Sequence, residues 1–442
     1  MGIRKTYIET YGCQMNVADS EVVRAILASE NIVSTLDISD ADIILINTCS
    51  IRDNAEQRVI KRLSELASLK QKRADIIIGV IGCMAERMKE TIFEKVKSVD
   101  LIAGPDAYRD LPHLIDIAAG GEKAANVLLS TDETYADINP LRLGDNGVNA
   151  FISIMRGCEN FCAYCVVPYT RGKERSRNFS SIVDEAKYLF DNGYREVTLL
   201  GQNVNSYKTQ NNSEQIDFPK LIKAVAKIDP LLRVRFSTSH PKDFSDDLIE
   251  AILQYDNICK SVHLPMQSGS TSVLKRMRRS YTFEWYLERV ETLKKHIPQC
   301  SLSTDIIAGF CGETEQEHQE TIAAMNQIRF NDAFMFKYSE RPNTIAAKKY
   351  KDDVPDEVKS ARLTEIIELQ NKHSLQHNKK DIGKEYEVLI EGNSKRSDKQ
   401  LYGRNSQNKV IVFDDKGFLK GTYIKVKISS VTSATLLGDN IY

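Results

Sequence analysis

Three times within the first 85 residues, an apolar strand-like run ends at a cysteine and passes straight into a helical pattern. Residues 3–11 lead to Cys13 and a helix from about Ala18 to Glu30. Asp42 to Asn47 leads to Thr48-Cys49 and a helix from about Asp53 to Leu69, and Ile76 to Gly82 leads to Cys83 and a helix from about Ala85. The cysteines lie 36 and 34 residues apart, the length of a βα repeat with parallel strands. Such a repeat restricts residues 1–120 to an open parallel sheet of Rossmann or flavodoxin type. Ligands of these sheets sit beyond the carboxyl ends of the strands. Three cysteines in phase there emerge on one rim and can converge as metal ligands. The competing reading is three small buried residues, a common use of free cysteine. No Gly-x-Gly-x-x-Gly follows the first strand, so no dinucleotide is expected.

A second set of cysteines follows the strand-like Ala150 to Met155, in the run Arg156-Gly157-Cys158-Glu159-Asn160-Phe161-Cys162-Ala163-Tyr164-Cys165. Thiolates this close are soft ligands suited to zinc, copper(I) or iron–sulfur. A structural zinc site is closed by four ligands, whereas a 4Fe–4S cube held by three cysteines keeps one iron open. A zinc knuckle short of one ligand and three buried thiols remain as alternatives. The C-x3-C-x2-C spacing at a strand's carboxyl end, with Tyr164 before the last cysteine, resembles the radical S-adenosylmethionine (SAM) enzymes, which implies SAM on the open iron.

From 148 to 376 strands and helices alternate. The expected strands are Phe151–Met155, Glu196–Leu200, Arg233–Phe236, Ser261–Leu264, Ser303–Ile307 and Ala333–Lys337, with helices such as Ser181–Asp191 and Asp246–Leu253 between them. Six βα units imply a partial (β/α)6 barrel, whose reactive groups gather at the strands' carboxyl ends. Those ends are polar: Gln202 and Asn203, Ser239, Gln267 and Asp305 follow or close successive strands and are candidate SAM contacts, with Tyr164. Each can equally cap a helix, and His240 before Pro241 reads as structural. Arg171 and Arg175 after the cysteine run, and Lys275, Arg276 and Arg278 after the fourth strand, form a candidate basic rim for a phosphate backbone. A solvated helix face is the alternative.

A stretch rich in turn formers, 121–147, separates this region from the first and is expected to be a linker. After a polar helical run from about Asp356 to Lys379, residues 377–442 become short strands and turns, the pattern of a small antiparallel barrel. That segment carries 12 Lys and Arg against 8 Asp and Glu, and with Arg404 it is a candidate RNA anchor. A chain of 442 residues exceeds one core. It has no apolar run near the ~18 residues a spanning helix needs, and Met1 to Lys5 opens no signal core. A cytoplasmic protein is expected, and nine cysteines there point to metal or redox chemistry rather than disulfides.

The whole order resembles the methylthiotransferase family: a three-cysteine domain, a radical SAM barrel and a TRAM domain. The motifs that carry the resemblance are Gly12-Cys13-Gln14-Met15-Asn16, Asn47-Thr48-Cys49, Gly82-Cys83-Met84-Ala85, the Arg156–Cys165 run with Val166-Val167-Pro168-Tyr169-Thr170-Arg171-Gly172, Gly201-Gln202-Asn203-Val204-Asn205, His263-Leu264-Pro265-Met266-Gln267-Ser268-Gly269-Ser270 and Tyr338-Ser339-Glu340-Arg341-Pro342. The Gln-Met-Asn after Cys13 favours the branch acting on isopentenyladenosine beside the tRNA anticodon.

The resemblance implies two 4Fe–4S clusters. One, on Cys158, Cys162 and Cys165, cleaves SAM to a radical that removes hydrogen from carbon 2 of the adenine. The other, on Cys13, Cys49 and Cys83, supplies sulfur, which a second SAM methylates. It also implies a tRNA substrate with the target base extruded, an electron donor such as flavodoxin or ferredoxin, a sulfur or cluster carrier, and no membrane; a monomer is expected. Threonylcarbamoyladenosine tRNA, a ribosomal-protein aspartate, and a binding protein without turnover are the alternatives. Cys311 stands where the family usually has proline and is expected to be a loop substitution, with Cys259 and Cys300 incidental.

Overall fold

The computed structural model describes residues 3–49, 53–89 and 91–441; Met1 and Gly2, part of the N-terminal reading above, lie outside them. The first region is a six-stranded parallel sheet of β1 (Arg4–Tyr11), β2 (Ile32–Ser34), β3 (Ile43–Thr48), β4 (Ile77–Gly82), β5 (Leu101–Ala103) and β6 (Ala124–Asn126), in the order β2-β1-β3-β4-β5-β6. Helix α1 (Gln14–Ser29) follows β1, α2 (Asp53–Lys72) follows β3 and α3 (Cys83–Met88) follows β4. Every residue of β3 is buried. Ile43 and Leu45 pack with Val23 and Leu27 of α1, while Ile44 and Ile46 pack on the opposite face with Val59 and Leu63 of α2. Side chains alternate across a strand, so an unbroken apolar run is what a sheet covered on both faces requires.

The stretch expected as linker is ordered against its neighbours. Its Ala124–Asn126 completes the sheet as β6, beside β5. Farther along, Tyr135 is buried, stacks on Tyr108 and donates its hydroxyl to the Pro105 carbonyl at 3.0 Å.

The central region has two three-stranded parallel sheets. One holds β7 (Asn149–Ser153), β8 (Glu196–Leu200) and β9 (Arg233–Ser237), and the other β10 (Ser261–His263), β11 (Ser301–Ala308) and β12 (Asp332–Lys337). A parallel bridge between Val234 and Ile258 links them, and one apolar core runs through both. The result is a barrel of six strands left open between β7 and β12. Helix α1 covers that opening beside β7, where Met15 and Ala18 pack on Phe151 and Leu200. The three-cysteine domain thus sits on the mouth of the barrel.

Helix α4 (Asp356–Lys379) lies along β12 and β11. Its Gln370 and Ser374 donate to the Phe330 and Asn331 carbonyls, and its Asn378 donates to the Thr432 and Ser433 carbonyls of the last region. That region is a closed five-stranded barrel of β13 (Glu385–Ser394), β14 (Ser397–Arg404), β15 (Val410–Asp414), β16 (Tyr423–Val431) and β17 (Leu436–Ile441). It differs from a purely antiparallel barrel in one pairing, because β15 and β17 run parallel to close the cylinder.

The small barrel docks at the amino ends of the central strands, the end opposite the mouth. Arg233 and Arg235 donate to the Arg404, Asn405 and Ser406 carbonyls, and the Tyr423 hydroxyl donates to the Leu231 carbonyl. Arg235 also holds buried Glu196 at 2.7 Å. Removing one partner of a buried pair costs about 3–5 kcal/mol, mostly from the charge left behind. The variant Arg235→Met is therefore expected to lose about that much stability in denaturant titrations. It should also expose the segment joining α4 to β13 to limited proteolysis.

Candidate active site

The first thiol triad is assembled by side-chain amides and close backbone approach. Cys13 is the N-cap of α1, and its thiol donates to Asn16 Oδ1 at 3.4 Å. Asn16 Nδ2 donates to Asn47 Oδ1 at 3.0 Å, and Asn47 Nδ2 donates back to the Asn16 carbonyl at 2.8 Å. These two asparagines fasten the start of α1 to the end of β3, and so Cys13 to Cys49. The approach is so close that a Cβ on Gly12 would lie 2.7 Å from the Cys49 Cβ. Hydrogen bonding with Cys49, opposed by burial and helped by the Arg171 charge, draws the Cys13 thiol down to about 6. Burial pushes the Cys83 thiol up.

The second triad lies on the loop between β7 and the segment Val167–Thr170. Its shape depends on Gly157, which has φ +80°; a Cβ there would fall inside the Lys173 carbonyl oxygen. That contact lets Cys158 N donate to the Gly172 carbonyl at 3.1 Å, while Gly157 N donates to Gln202 Oε1 at 2.6 Å. Burial pushes Cys158 up to about 11 and Cys165 up to about 12. Loading a metal centre here displaces protons.

A cavity of about 910 Å³ reaches Cys165 of the second triad and the residues just before Cys13 of the first. Tyr11 and Gly12, next to Cys13, form one wall; Tyr164, Cys165, Gln267 and Asp305 form another. Three of the six candidate SAM contacts therefore share a single cavity with a cysteine of the second triad. Asp305 stands 3.4 Å from His263 Nε2. The other three lie outside its lining. Gln202 holds the cysteine loop, and Asn203 ties two loops by accepting from His240 N and donating to Asp243. Ser239 is buried, and its hydroxyl has no hydrogen-bond partner among the described residues. His240 accepts from Lys242 N through Nδ1, and burial with the Arg279 charge pushes it down to about 2, so it is neutral.

Most of these candidate basic residues are paired with carboxylates, and two are buried. Arg171 and Arg175 are buried at the joint between the first two regions, Arg276 is held by Glu317 at 2.8 Å, and Arg404 by Glu391 at 2.9 Å. Lys275 and Arg278 are exposed. Each of the first four has a carboxylate partner, and runs of basic residues do not reveal such partners.

Arg171 and Arg175 belong to a buried network the sequence did not disclose. Asp19 of α1 accepts from Arg156 Nη1 at 2.9 Å and from Arg171 Nη2 at 2.6 Å. Asp106 accepts from Arg175 at 2.9 Å and lies 3.6 Å from Arg156. Arg156 also stacks over Tyr135 at 4.9 Å and donates to the Pro105 carbonyl. Arg171 Nε donates to Cys83 Sγ at 3.1 Å. At the second triad, buried Arg279 donates to Cys162 Sγ at 3.4 Å, the Pro265 carbonyl and the Tyr281 hydroxyl, with no carboxylate pairing among the described residues. Each triad thus has a buried guanidinium on one of its thiols.

These features fit an anionic cluster. Three soft thiols with a cation beside them match an iron–sulfur cube, which spreads its thiolates over separate irons. Among the described residues no Cys, His, Asp or Glu group of three is set around a single-ion site. Cys311 instead packs in an apolar group with Phe310, Tyr338 and Val273, Cys259 is buried, and Cys300 lies half-buried against the barrel core. Gly157→Ala is expected to cost about 3 kcal/mol through the displaced loop. Iron bound per chain after anaerobic reconstitution should fall by about half, because the first triad is untouched.

Comparison with known proteins agrees with this architecture. A family profile described as "Uncharacterized protein family UPF0004" matches residues 5–104, the Radical SAM superfamily matches 152–325 and the TRAM domain matches 379–441. The tRNA-2-methylthio-N(6)-dimethylallyladenosine synthase of Amoebophilus asiaticus is 55% identical, over 99% of this chain and 92% of its own length. The protein of the same name from Parabacteroides distasonis is 54% identical, over 99% and 96%. Among solved structures, the radical SAM methyltransferase TsrM of Kitasatospora setae aligns with TM-score 0.57 at 14% identity, covering 78% of this chain and 75% of that one. At that identity the likeness speaks for the fold. The chain belongs to the radical SAM methylthiotransferases, in the family of tRNA-2-methylthio-N(6)-dimethylallyladenosine synthases.

Proposed function

We propose that this chain inserts sulfur and a methyl group at carbon 2 of N(6)-dimethylallyladenosine beside the tRNA anticodon. The observation that carries the reading is a single cavity lined by Cys165 and by Tyr11 and Gly12, next to Cys13, in a chain 55% identical to a relative named for that product. In this reading Cys158, Cys162 and Cys165 hold one 4Fe–4S cluster, and Cys13, Cys49 and Cys83 hold the other. When bound, the clusters and SAM supply reductive radical generation, sulfur and methyl.

The chain's own residues bind, orient and exclude water. Tyr164, Gln267 and Asp305 face the space where SAM and the base would meet. The buried Ser239 hydroxyl and the Asn205 amide, outside the cavity lining and without hydrogen-bond partners among the described residues, are further donors and acceptors for a polar ligand in this reading. Gln202 and Asn203 act one step back, by holding the loops. A base paired or stacked in RNA cannot reach such a cavity, so the adenine enters flipped out. Lys275 and Arg278, with the basic small barrel, are the phosphate contacts of this reading. Among the described residues no helix is long and apolar enough to cross a membrane. A flavodoxin- or ferredoxin-like electron donor, a sulfur carrier, a cytoplasmic setting and a monomeric state complete the proposal.

Mass spectrometry of nucleosides tests it. Prenylated tRNA incubated with reconstituted protein, SAM, sulfide and a strong reductant should yield the 2-methylthio nucleoside. Cys158→Ala should abolish both product and 5′-deoxyadenosine release. Cys13→Ala should abolish product while deoxyadenosine release continues. Deoxyadenosine release by the unaltered protein without any modified nucleoside would redirect the search to threonylcarbamoyladenosine tRNA or a protein side chain.

A further inference from the structure

The joint between the first two regions does not balance its charge. Arg156, Arg171 and Arg175 are buried there against two carboxylates, Asp19 and Asp106. Buried Glu86, near Asp106, is matched by Lys89 at 3.9 Å, so among the described residues three guanidiniums facing two carboxylates leave one positive charge without a carboxylate. A buried cation without a counter-ion is strongly unfavourable, so an anion is needed at this place. The position of the surplus follows from hydrogen bonding. Arg171 spends Nη2 on Asp19 and Nε on Cys83 Sγ, while its Nη1 is buried with no hydrogen-bond partner among the described residues; Arg156 Nε also lacks one, but it lies 3.6 Å from an Asp106 oxygen. Arg175, by contrast, spends its donors on both oxygens of Asp106 and on the Ser130, Glu133 and Arg171 carbonyls.

We propose that Arg171 is the counter-cation and positioning residue of the Cys13–Cys49–Cys83 centre, with Nε and Nη1 donating to sulfur held there. This rests on the reading that the triad binds a 4Fe–4S cluster. Such a cluster on three thiolates is anionic and gains a further negative charge on reduction. A fixed guanidinium in a low-dielectric joint favours the reduced form, because charges interact more strongly there than in water. Asp19 works in the opposite sense: its carboxylate offsets the Arg171 charge without touching the thiols. The two residues come from different regions, so the auxiliary centre is electrically complete only when the domains are docked.

Opposite signs separate this role from simple docking. The test uses the full-length chain with Cys158, Cys162 and Cys165 replaced by Ala, reconstituted anaerobically and titrated with reductant under electron paramagnetic resonance. This parent should load about four irons per chain. Failure to load iron would sink the cluster reading, and the present inference with it. Arg171→Gln should lower the reduced-to-oxidised ratio at the parent midpoint at least about tenfold, a shift of about 59 mV to more negative potential for one electron.

Asp19→Asn should move the midpoint the other way, and Arg171→Lys, which keeps the charge but loses the fork, should fall between Gln and the parent. A purely structural clamp predicts that Gln and Asn variants shift in the same direction or not at all, and either result overturns the proposal. If Arg171→Gln takes up no iron, the other two variants decide: an Asp19→Asn midpoint at or below the parent's, or an Arg171→Lys midpoint above it, overturns it equally.

Discussion

Asp19 carries the architecture. One carboxylate from the first turns of α1, fully buried, is shared between Arg156, at the head of the cysteine loop, and Arg171, just beyond it. The two arginines hold it well inside the ionised range despite burial. A buried charge is tolerated only when paired and hydrogen-bonded, and here the pairs cross from one domain to the other. The three-cysteine sheet is therefore held on the barrel mouth by directional bonds as well as by the apolar packing of Met15 and Ala18. Directional bonds fix a rotation as well as a contact, and the approach of Tyr11 and Gly12 to the cavity that Cys165 also lines depends on that rotation.

The consequence for the chemistry is a division of labour between touching and holding. Tyr164, Gln267 and Asp305 line the cavity. Asn16, Asn47 and Gln202 do not line it, yet they set where the cysteines stand, and Asn203 ties two of the barrel's loops. Gly12 and Gly157 belong with the holders, because each permits an approach that a side chain would prevent. A catalytic constellation needs such support, since a small misplacement of reacting groups is costly.

Much of this was legible beforehand because it follows from periodicity. Parallel strands spaced by a βα unit put Cys13, Cys49 and Cys83 on one rim, and the C-x3-C-x2-C run marked the barrel's first strand end. What escaped was long-range pairing. Arg171 and Arg175 looked like a surface run, and only the fold shows Asp19, 152 residues from Arg171, as the partner. Tyr135 lay in a stretch of turn formers and turned out to be a buried platform for Arg156. The parallel closure of the last barrel was equally unreadable, since a strand's pattern does not say which neighbour it will meet. Local rules report which residues face inward, and they are silent on which distant charge waits there.

The small barrel's seat at the amino ends of the central strands sets a geometric standard. The cysteines occupy the other end, a strand length of about 17 Å away plus the loops at both ends. A substrate that is gripped by this barrel while one base enters the cavity must run down the outside of the central domain. In the proposed reading the protein then behaves as a caliper. A short oligonucleotide fits one jaw or the other, whereas a folded stem of the right length closes both, and the fixed gap between them becomes a criterion of shape that no single pocket has to encode.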